Sequence, residues 1–553
     1  MKRMGAELVT SLNPADVDLV DERLHAGRKA GTSPAQIPKS LRASAAHGFI
    51  WMSSQTALAK LVGICSQVFL AWLLARDDFG VISKVFAVTA FPALIYQIGV
   101  KEVLVRRASA LDRWSSVAYW ILGSFGLLSA IAMIAAAPLA ARFYYGPHPY
   151  TSIAVAASSW RLTWLIVIIA AAAPFTALSN VPTIRLQQQL RFKELATITF
   201  ANSCAIAGLS ILFALLKCHA YSFVLPWPIA AFLRFVWLCR RAPLHFILDM
   251  RLSRWRYLLS DSLMVMIARG IGTFVVVGDY LALGYFHSET SLGVYYFAYG
   301  LSMQTMMLVA TNMESVLLPI LGASDRDRAQ QRKVVMGTVR SLATIGIPAC
   351  CLQAILAEPG IRAVFNEKWY PAIPVLQVLS LGMAFRIVGW PTVSIMLAHA
   401  RYKALLLMLA LSSAQFMALV IGAASMSSEH NSAVAVAVAV SLHFIIEAPV
   451  YLYVAMRPLG VSVREVSLMF VGPLVSSVVA LYIANNISAI IPGCHSVQWL
   501  RIVVIISSVL SVYLMCLWLT DRKAFMIGAD QLRRILRSPV VGKRSHLDAA
   551  ESR

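Results

Sequence analysis

Charged residues are scarce in this sequence of 553 residues: they make up 13% of the chain, whereas apolar residues make up 59%. A soluble domain usually has about a quarter of its residues charged. The mean hydropathy of +0.70 points the same way. The composition therefore excludes an ordinary soluble protein and predicts a polytopic membrane protein. Its spans must be α-helices, because backbone polar groups find no water in the bilayer core.

The sequence also lacks the motifs of the common enzyme and metal-site classes. Its eight cysteines form no metal-type CxxC pair, and most lie in or beside apolar runs. We therefore expect no metal site and no disulfide framework. No GxxxxGK[ST] phosphate loop is present, which excludes a built-in ATPase of that type. The predicted outer loops are too short for an active site, so we expect neither enzymatic activity nor a cofactor. The polar N-terminus shows no pattern of a cleavable signal.

Apolar segments of bilayer length recur along the chain, and each is long enough for about 20 helical residues. We predict fourteen transmembrane helices, at residues 48–75, 81–100, 115–140, 152–178, 195–216, 221–238, 257–284, 292–321, 338–357, 372–397, 404–425, 432–456, 466–484 and 498–520.

Lysine and arginine are distributed unevenly between alternate loops. With a cytoplasmic N-terminus, 35 of the 48 basic residues fall in segments predicted inside, 5 fall outside and 8 lie within spans. Positive residues concentrate on the cytoplasmic side of membrane proteins, so both termini are predicted to be cytoplasmic. This placement indicates that the basic residues responsible for the net charge of +22 interact with anionic lipid headgroups and not with nucleic acid.

Similar short segments occur in the two halves of the chain in the same order. FGV at 79–81 corresponds to LGV at 292–294, an offset of 213 residues. LRFK at 190–193 corresponds to ARYK at 400–403, an offset of 210. An even number of spans in each half predicts parallel repeats, related by an axis along the membrane normal.

The repeat predicts two pseudo-symmetric six-helix lobes, followed by two C-terminal helices. Pro174 and Pro391 fall late in spans four and ten and are hinge candidates. The predicted divisions are a disordered cytoplasmic tail at 1–46, an N-lobe at 47–238, a basic cytoplasmic linker at 239–256, a C-lobe at 257–456, two extra spans at 457–520 and a basic cytoplasmic tail at 521–553.

Four cations lie near the middle of predicted spans: Lys60, Arg161, Arg269 and Arg386. A charge at the bilayer centre costs about 2.5–3.5 kcal/mol, so these side chains are expected to face protein or water. The six predicted spans of the N-lobe contain no acidic residue. Lys60 and Arg161 are therefore available to an anionic ligand or to C-lobe carboxylates across a cleft. We interpret the four as a cationic substrate cavity, with structural ion pairing as the alternative.

Other polar residues within spans are candidates for the cavity or for ion coupling. Asp261 and Asp279 are predicted on the same side of the seventh helix as Arg269. The other two candidates are Gln67 in the first predicted span and Glu447 in the twelfth.

Two further groups receive plainer interpretations. Lys84 and Arg234 lie nearer to span ends and are expected to extend to the membrane surface. The tyrosines at 280, 285, 295, 296 and 299 are expected to form an interfacial belt.

Several segments resemble the Wzx-type polysaccharide flippases, a branch of the multidrug/oligosaccharidyl-lipid/polysaccharide superfamily. The resemblance covers about residues 45–460. The segments are LLARDDFGVISKVFAVTAF (73–91), IGVKEVLVRR (98–107), SLGVYYFAYGLS (291–302), ESVLLPILGA (314–323) and NEKWYPAIPVLQVLSLG (366–382).

The resemblance implies two lobes that alternate between inward- and outward-facing states in a bacterial inner membrane. The implied substrate is an oligosaccharide linked through a diphosphate to a polyprenyl lipid, for O-antigen, capsule or exopolysaccharide assembly. Implied partners are membrane lipids, a polysaccharide polymerase and a chain-length regulator.

Two alternative functions remain open. A cation-coupled multidrug antiporter would confer dye resistance that depends on Glu447 or Asp261. A non-transporting membrane scaffold would tolerate neutralisation of all four cations.

Overall fold

The computed structural model describes residues 55, 58–97, 111–146, 152–189, 191–242, 252–323, 328–399, 401–490 and 498–520. The predicted tails and the centre of the predicted linker lie outside these ranges. The side chains of 111–117, 252–265 and 309–323 also lie outside the described part, and so does the side chain of Asp261.

Regular structure in the described ranges is helical throughout, which confirms the predicted all-α polytopic class. Twelve helices are long and apolar enough to cross a membrane; Leu58–Leu73 is a shorter apolar helix, and Glu289–Ala323 has 35 residues. In chain order the helices are α1 (Leu58–Leu73), α2 (Arg76–Tyr96), α3 (Leu111–Tyr145), α4 (Ile153–Gln188), α5 (Phe192–Leu215), α6 (Tyr221–Arg241), α7 (Leu252–Phe286), α8 (Glu289–Ala323), α9 (Arg328–Val364), α10 (Ala372–Ala398), α11 (Tyr402–Met426), α12 (Ser432–Met456), α13 (Val463–Ile490) and α14 (Gln498–Thr520).

Two of these helices, α4 and α10, are interrupted near their prolines. The first segment of α4 ends at Ala170, and the first segment of α10 ends at Gly389. Pro174 and Pro391 lie close to these breaks. Proline has no backbone N–H to continue the helical hydrogen bonds, which accounts for the interruptions. The breaks fall at repeat-related places, and a hinge role for them stays a prediction.

Repeat-related arginines make the same contact in both lobes. Arg191, at the start of α5, donates from Nη1 to the carbonyl oxygen of Arg241 at the end of α6, at 3.0 Å. Arg401, at the start of α11, donates from Nη1 to the carbonyl oxygen of Val454 at the end of α12, at 2.9 Å. Both arginines have nearly the same backbone angles. The similarity between LRFK and ARYK therefore corresponds to equivalent structure.

The two lobes meet mainly through α2 of the N-lobe, which packs along α7 and α8 of the C-lobe. Within the C-lobe, α10 packs between α9 and α12, and α11 lies against α7. The two C-terminal helices pack on each other and on α9. Tyr513 of α14 fixes this contact by donating to the carbonyl oxygen of Thr344, at 2.8 Å.

Candidate functional site

The N-terminal turns of α2 and α8 cross at two repeat-related glycines. A Cβ on Gly80 would lie 1.9 Å from the carbonyl oxygen of Glu289, and a Cβ on Gly293 would lie 1.9 Å from that of Arg76. The offset of 213 residues relates Gly80 to Gly293 and Arg76 to Glu289, so the contact is symmetric. Only glycine allows backbones to approach this closely.

A charged cluster joins the lobes beside this crossing. Glu289 of α8 accepts hydrogen bonds from Arg161 of α4 at 2.7 Å and from Lys84 of α2 at 3.4 Å. The hydroxyl of Tyr145 on α3 donates to the same carboxylate. Asp78 lies 3.9 Å from Arg161. One C-lobe carboxylate therefore binds three side chains of the N-lobe.

Aromatic side chains close the space next to the cluster. The Trp369 ring stacks on Phe297 with centroids 4.0 Å apart and meets Phe79 edge-on at 4.9 Å. All three are almost fully buried. Trp369 Nε1 donates to the carbonyl oxygen of Ala71, at 2.8 Å, and so ties the segment before α10 to the end of α1. The glycine crossing, the charged cluster and these rings form what we call the interlobe seal.

A cavity of about 440 Å³ lies in the N-lobe among α1, α4, α5 and α6. Lys60 and Arg234 both line it, and Lys60 Nζ also donates to the carbonyl oxygen of Met307 on α8, at 2.8 Å. Arg234 Nε is buried and has no hydrogen-bond partner in the described part of the chain. The remaining lining residues are Gln55, Ala59, Thr183, Gln187, Leu195, Ala196, Thr199, Phe200 and Ser203.

The cavity and the seal lie at different depths. Lys60 is 14 residues from Leu74 at the seal end of α1, about 21 Å at 1.5 Å per residue. Arg234 is 13 residues from Tyr221 at the start of α6, about 20 Å. Both cations therefore lie about 20 Å along their helices from the seal.

Buried polar side chains form a further group inside the C-lobe. Arg386 donates to the hydroxyl of Tyr299 at 2.8 Å and lies over the Phe444 ring at 4.6 Å. Asp279, which is fully buried, accepts a hydrogen bond from the Tyr295 hydroxyl at 2.7 Å. Arg386 is close enough to Asp279 to interact with it electrostatically.

Glu447 belongs to the same group. Its carboxylate accepts a hydrogen bond from Ser412 and lies 3.1 Å from Nε2 of the buried His443. Arg386 interacts electrostatically with Glu447 as well.

The four predicted cations thus lie in different surroundings. Lys60 lines the cavity, whereas Arg161 belongs to the seal and Arg386 to the C-lobe group. Arg269 is exposed and donates to the carbonyl oxygen of Gln97 at the end of α2, at 3.2 Å. This cavity therefore brings Lys60 together with Arg234, and a cavity shared by all four predicted cations stays a prediction. Gln67 lies against Gly300 of α8, with Nε2 2.9 Å from the position of a Cβ there.

Three interpretations from the sequence are corrected by burial. Lys84 does not extend to the membrane surface, because it is 2% exposed and binds Glu289 between the lobes. Arg234 lines the cavity instead of the surface. Tyr280, Tyr295 and Tyr299 form no interfacial belt, because they are buried in the C-lobe core.

Sequence reasoning missed Glu289, which it placed in an outer loop. One signal was available: the repeat offset places the charged residues Arg76 and Glu289 at equivalent positions beside repeat-related glycines.

Another carboxylate at the seal end stays within the C-lobe. Glu429, between α11 and α12, accepts hydrogen bonds from Ser288 and Ser291 and lies 2.9 Å from Nδ1 of His287. Burial pushes the pKa of Glu429 upwards, but hydrogen bonds from Ser288, Ser291 and His287 outweigh it and lower the pKa to about 2. Glu429 therefore offers a comparison with Glu289, which bridges the lobes.

Comparison with solved structures shows the fold. The chain superposes on the lipid II flippase MurJ in an inward closed conformation with a TM-score of 0.69 and 15% identity, over 86% of this chain and 99% of MurJ. It superposes on an inward-facing multidrug resistance transporter of the MATE family with a TM-score of 0.60 and 10% identity, over 75% of this chain and 98% of the transporter.

Sequence comparison gives the family. The teichuronic acid biosynthesis protein TuaB of Bacillus subtilis (strain 168) is 23% identical over 64% of this chain and 71% of TuaB. The lipopolysaccharide biosynthesis protein WzxC of Escherichia coli (strain K12) is 23% identical over 66% of this chain and 71% of WzxC. A sequence model described as "polysaccharide biosynthesis protein" matches residues 69–374, more than half of the chain. This protein therefore belongs to the polysaccharide biosynthesis protein family of polytopic membrane proteins, as its resemblance to Wzx-type flippases predicted.

Proposed function

We propose that this protein is a flippase that moves polyprenyl-diphosphate-linked oligosaccharide across a bacterial inner membrane by alternating access. The product serves the assembly of a surface polysaccharide, which is an O-antigen, a capsule or an exopolysaccharide. Both termini are cytoplasmic, so the interlobe seal faces outwards and the cavity opens towards the cytoplasmic half. A polysaccharide polymerase and a chain-length regulator act on the product.

The observation that carries the proposal is the pair of cations in the N-lobe cavity. Lys60 and Arg234 face a volume of about 440 Å³ that is otherwise lined by uncharged polar and apolar side chains. Such a volume is within the usual range for small-molecule sites. Two cations in one cavity wall, of which Arg234 has a buried Nε without a hydrogen-bond partner in the described part of the chain, favour an anionic ligand such as a diphosphate. The lipid chain stays in the bilayer while the headgroup enters the cavity.

The remaining predicted site residues have secondary roles in this proposal. Arg269 and Arg386 attract the headgroup and any acidic sugars as the lobes rearrange. Asp279 and Glu447 in the C-lobe group are candidates for ion coupling, together with Gln67 and Asp261 as candidate lining residues. Arg161 acts in the seal.

Replacing both cavity cations tests the proposal. Lys60→Gln with Arg234→Gln is expected to reduce surface polysaccharide at least tenfold, because each lost charged hydrogen bond removes about 1.5–3 kcal/mol of binding. Lipid-linked oligosaccharide is expected to accumulate in the cytoplasmic leaflet, with the protein level unchanged. The measurement is surface polysaccharide per cell, with membrane protein quantified by immunoblot.

Lys333→Gln on α9 is the matched control, because Lys333 is exposed and is not among the residues that line the cavity. It is expected to leave surface polysaccharide unchanged. Normal polysaccharide output from the double variant would contradict the cavity assignment. Dye resistance that depends on Glu447 would instead support the multidrug antiporter.

A further inference from the structure

The positive and negative charges in the charged cluster of the interlobe seal nearly cancel while the lobes are in contact. Lys84 and Arg161 from the N-lobe face Glu289 from the C-lobe, with Asp78 3.9 Å from Arg161. His219 lies 3.8 Å from Asp78 and is largely exposed. The side chains of Lys84 and Glu289 are 3% and 17% exposed, so solvent screens this pair only weakly.

Separation of the lobes would change this balance. Glu289 is carried by α8 and moves with the C-lobe, whereas its partners are carried by α2, α3 and α4 of the N-lobe. The N-lobe surface would keep two cations against the single carboxylate of Asp78. A partly buried surface with excess positive charge needs an anion, because an unpaired buried charge is costly.

The N-lobe side of the cluster also holds unused hydrogen-bond donors. Arg161 Nε and the hydroxyl of Tyr144 are buried and have no hydrogen-bond partner among the described residues. Lys84 Nζ lies over the rings of Tyr144 and Tyr145, at 5.0 and 4.8 Å from their centroids. Glu289 therefore uses only some of the donors that this surface offers. An anion with more oxygen atoms than a carboxylate would engage more of them.

We propose that Lys84 and Arg161 form a second anion-binding site, which Glu289 fills in the sealed state and the diphosphate of the substrate fills when the seal opens. This inference rests on the proposed function and deepens it. The diphosphate competes with Glu289 for the same cations, so its arrival weakens the contact between the lobes. Loss of the diphosphate to the outer side lets Glu289 return. The carboxylate thus couples substrate release to closure.

The accessibility of a cysteine in the seal tests this competition. Ser83 is one turn beyond Gly80 on α2 and is fully buried, so Ser83→Cys reports opening by its reaction with a water-soluble maleimide. The full-length protein in lipid nanodiscs is labelled with and without inorganic pyrophosphate, and the rate in the parent protein is subtracted. Pyrophosphate is expected to accelerate labelling several-fold.

Glu289→Gln is expected to raise the labelling rate roughly tenfold without pyrophosphate, because it removes the charged acceptor of two cations. Glu429→Gln is the matched control and is expected to leave the rate unchanged, since the partners of Glu429 among the described residues all belong to its own lobe. An unchanged rate in Glu289→Gln would overturn the proposal.

A charge swap separates sealing from anion binding. Arg161→Glu with Glu289→Arg keeps an ion pair between the lobes, so slow labelling is expected to return. The N-lobe surface then lacks its excess positive charge, and pyrophosphate is expected to have no effect. A pyrophosphate response that survives the swap would refute the second site. Neither result depends on Lys60 or Arg234, so failure here is distinct from failure of the cavity assignment.

Discussion

At the scale of single residues, Glu289 shows how much one carboxylate can hold together in a protein with few charges. It receives hydrogen bonds from Arg161, Lys84 and Tyr145, which belong to three different helices of the opposite lobe. Charged hydrogen bonds in a poorly hydrated place are stronger than those at a surface. Arg161 therefore pairs with a C-lobe carboxylate in this state, which is one of the two alternatives that the sequence left open for it.

Glu429 gives a pH prediction at the same scale. Its pKa is held at about 2, below the ordinary value of 4.5, so its contribution to stability is present above about pH 4.5 and is lost as the pH falls through about 2. Glu429→Gln is expected to lower the melting temperature of the purified protein at pH 7. The difference from the wild type should shrink as the pH is lowered below 4.5. A difference that stays constant down to pH 2.5 would contradict this account.

At the scale of helices, the crossing of α2 and α8 depends on the absence of side chains. Gly80→Ala would place a methyl group 1.9 Å from a backbone oxygen, so the helices must separate. We expect a loss of about 1–3 kcal/mol in stability, as for other overpacked contacts. Thermal unfolding of the purified variant measures this loss.

Gly208→Ala on α5 serves as the control for the glycine crossing. A Cβ at Gly208 meets nothing within 4 Å, and alanine favours the helix by about 1 kcal/mol over glycine. This variant is expected to be as stable as the wild type or slightly more stable. Equal stability of the Gly80 and Gly208 variants would mean that the crossing is not tight in the membrane.

For the whole molecule, the distribution of basic residues predicts which end faces outwards. Met426, at the seal end of α11, is 89% exposed, and Arg457, at the other end of α12, is exposed as well. In intact cells, Met426→Cys is expected to react with a membrane-impermeant maleimide, whereas Arg457→Cys should react only after permeabilisation. The reverse pattern would invert the proposed direction of transport. Protein without the introduced cysteines gives the background labelling.

Local patterns in the sequence were sufficient for the helices, because bilayer length and apolar composition determine a transmembrane helix without reference to its neighbours. They were also sufficient for the repeat, since LRFK and ARYK take up equivalent structures. They were not sufficient for the start of α2. The sequence placed it at residue 81, whereas the helix begins at Arg76 and so brings Asp78 into its first turn.

The sequence by itself determined that this chain is an all-helical membrane protein of two related lobes, because hydropathy, loop charge and repeated segments are local properties. Only the tertiary structure decided which charges meet. Lys84 and Arg234 looked like residues of span ends, but the packing of the helices placed one in the seal and the other in the cavity. The packing of whole helices decides which side chains meet across a lobe boundary. The spacing of residues along a single helix does not predict that packing.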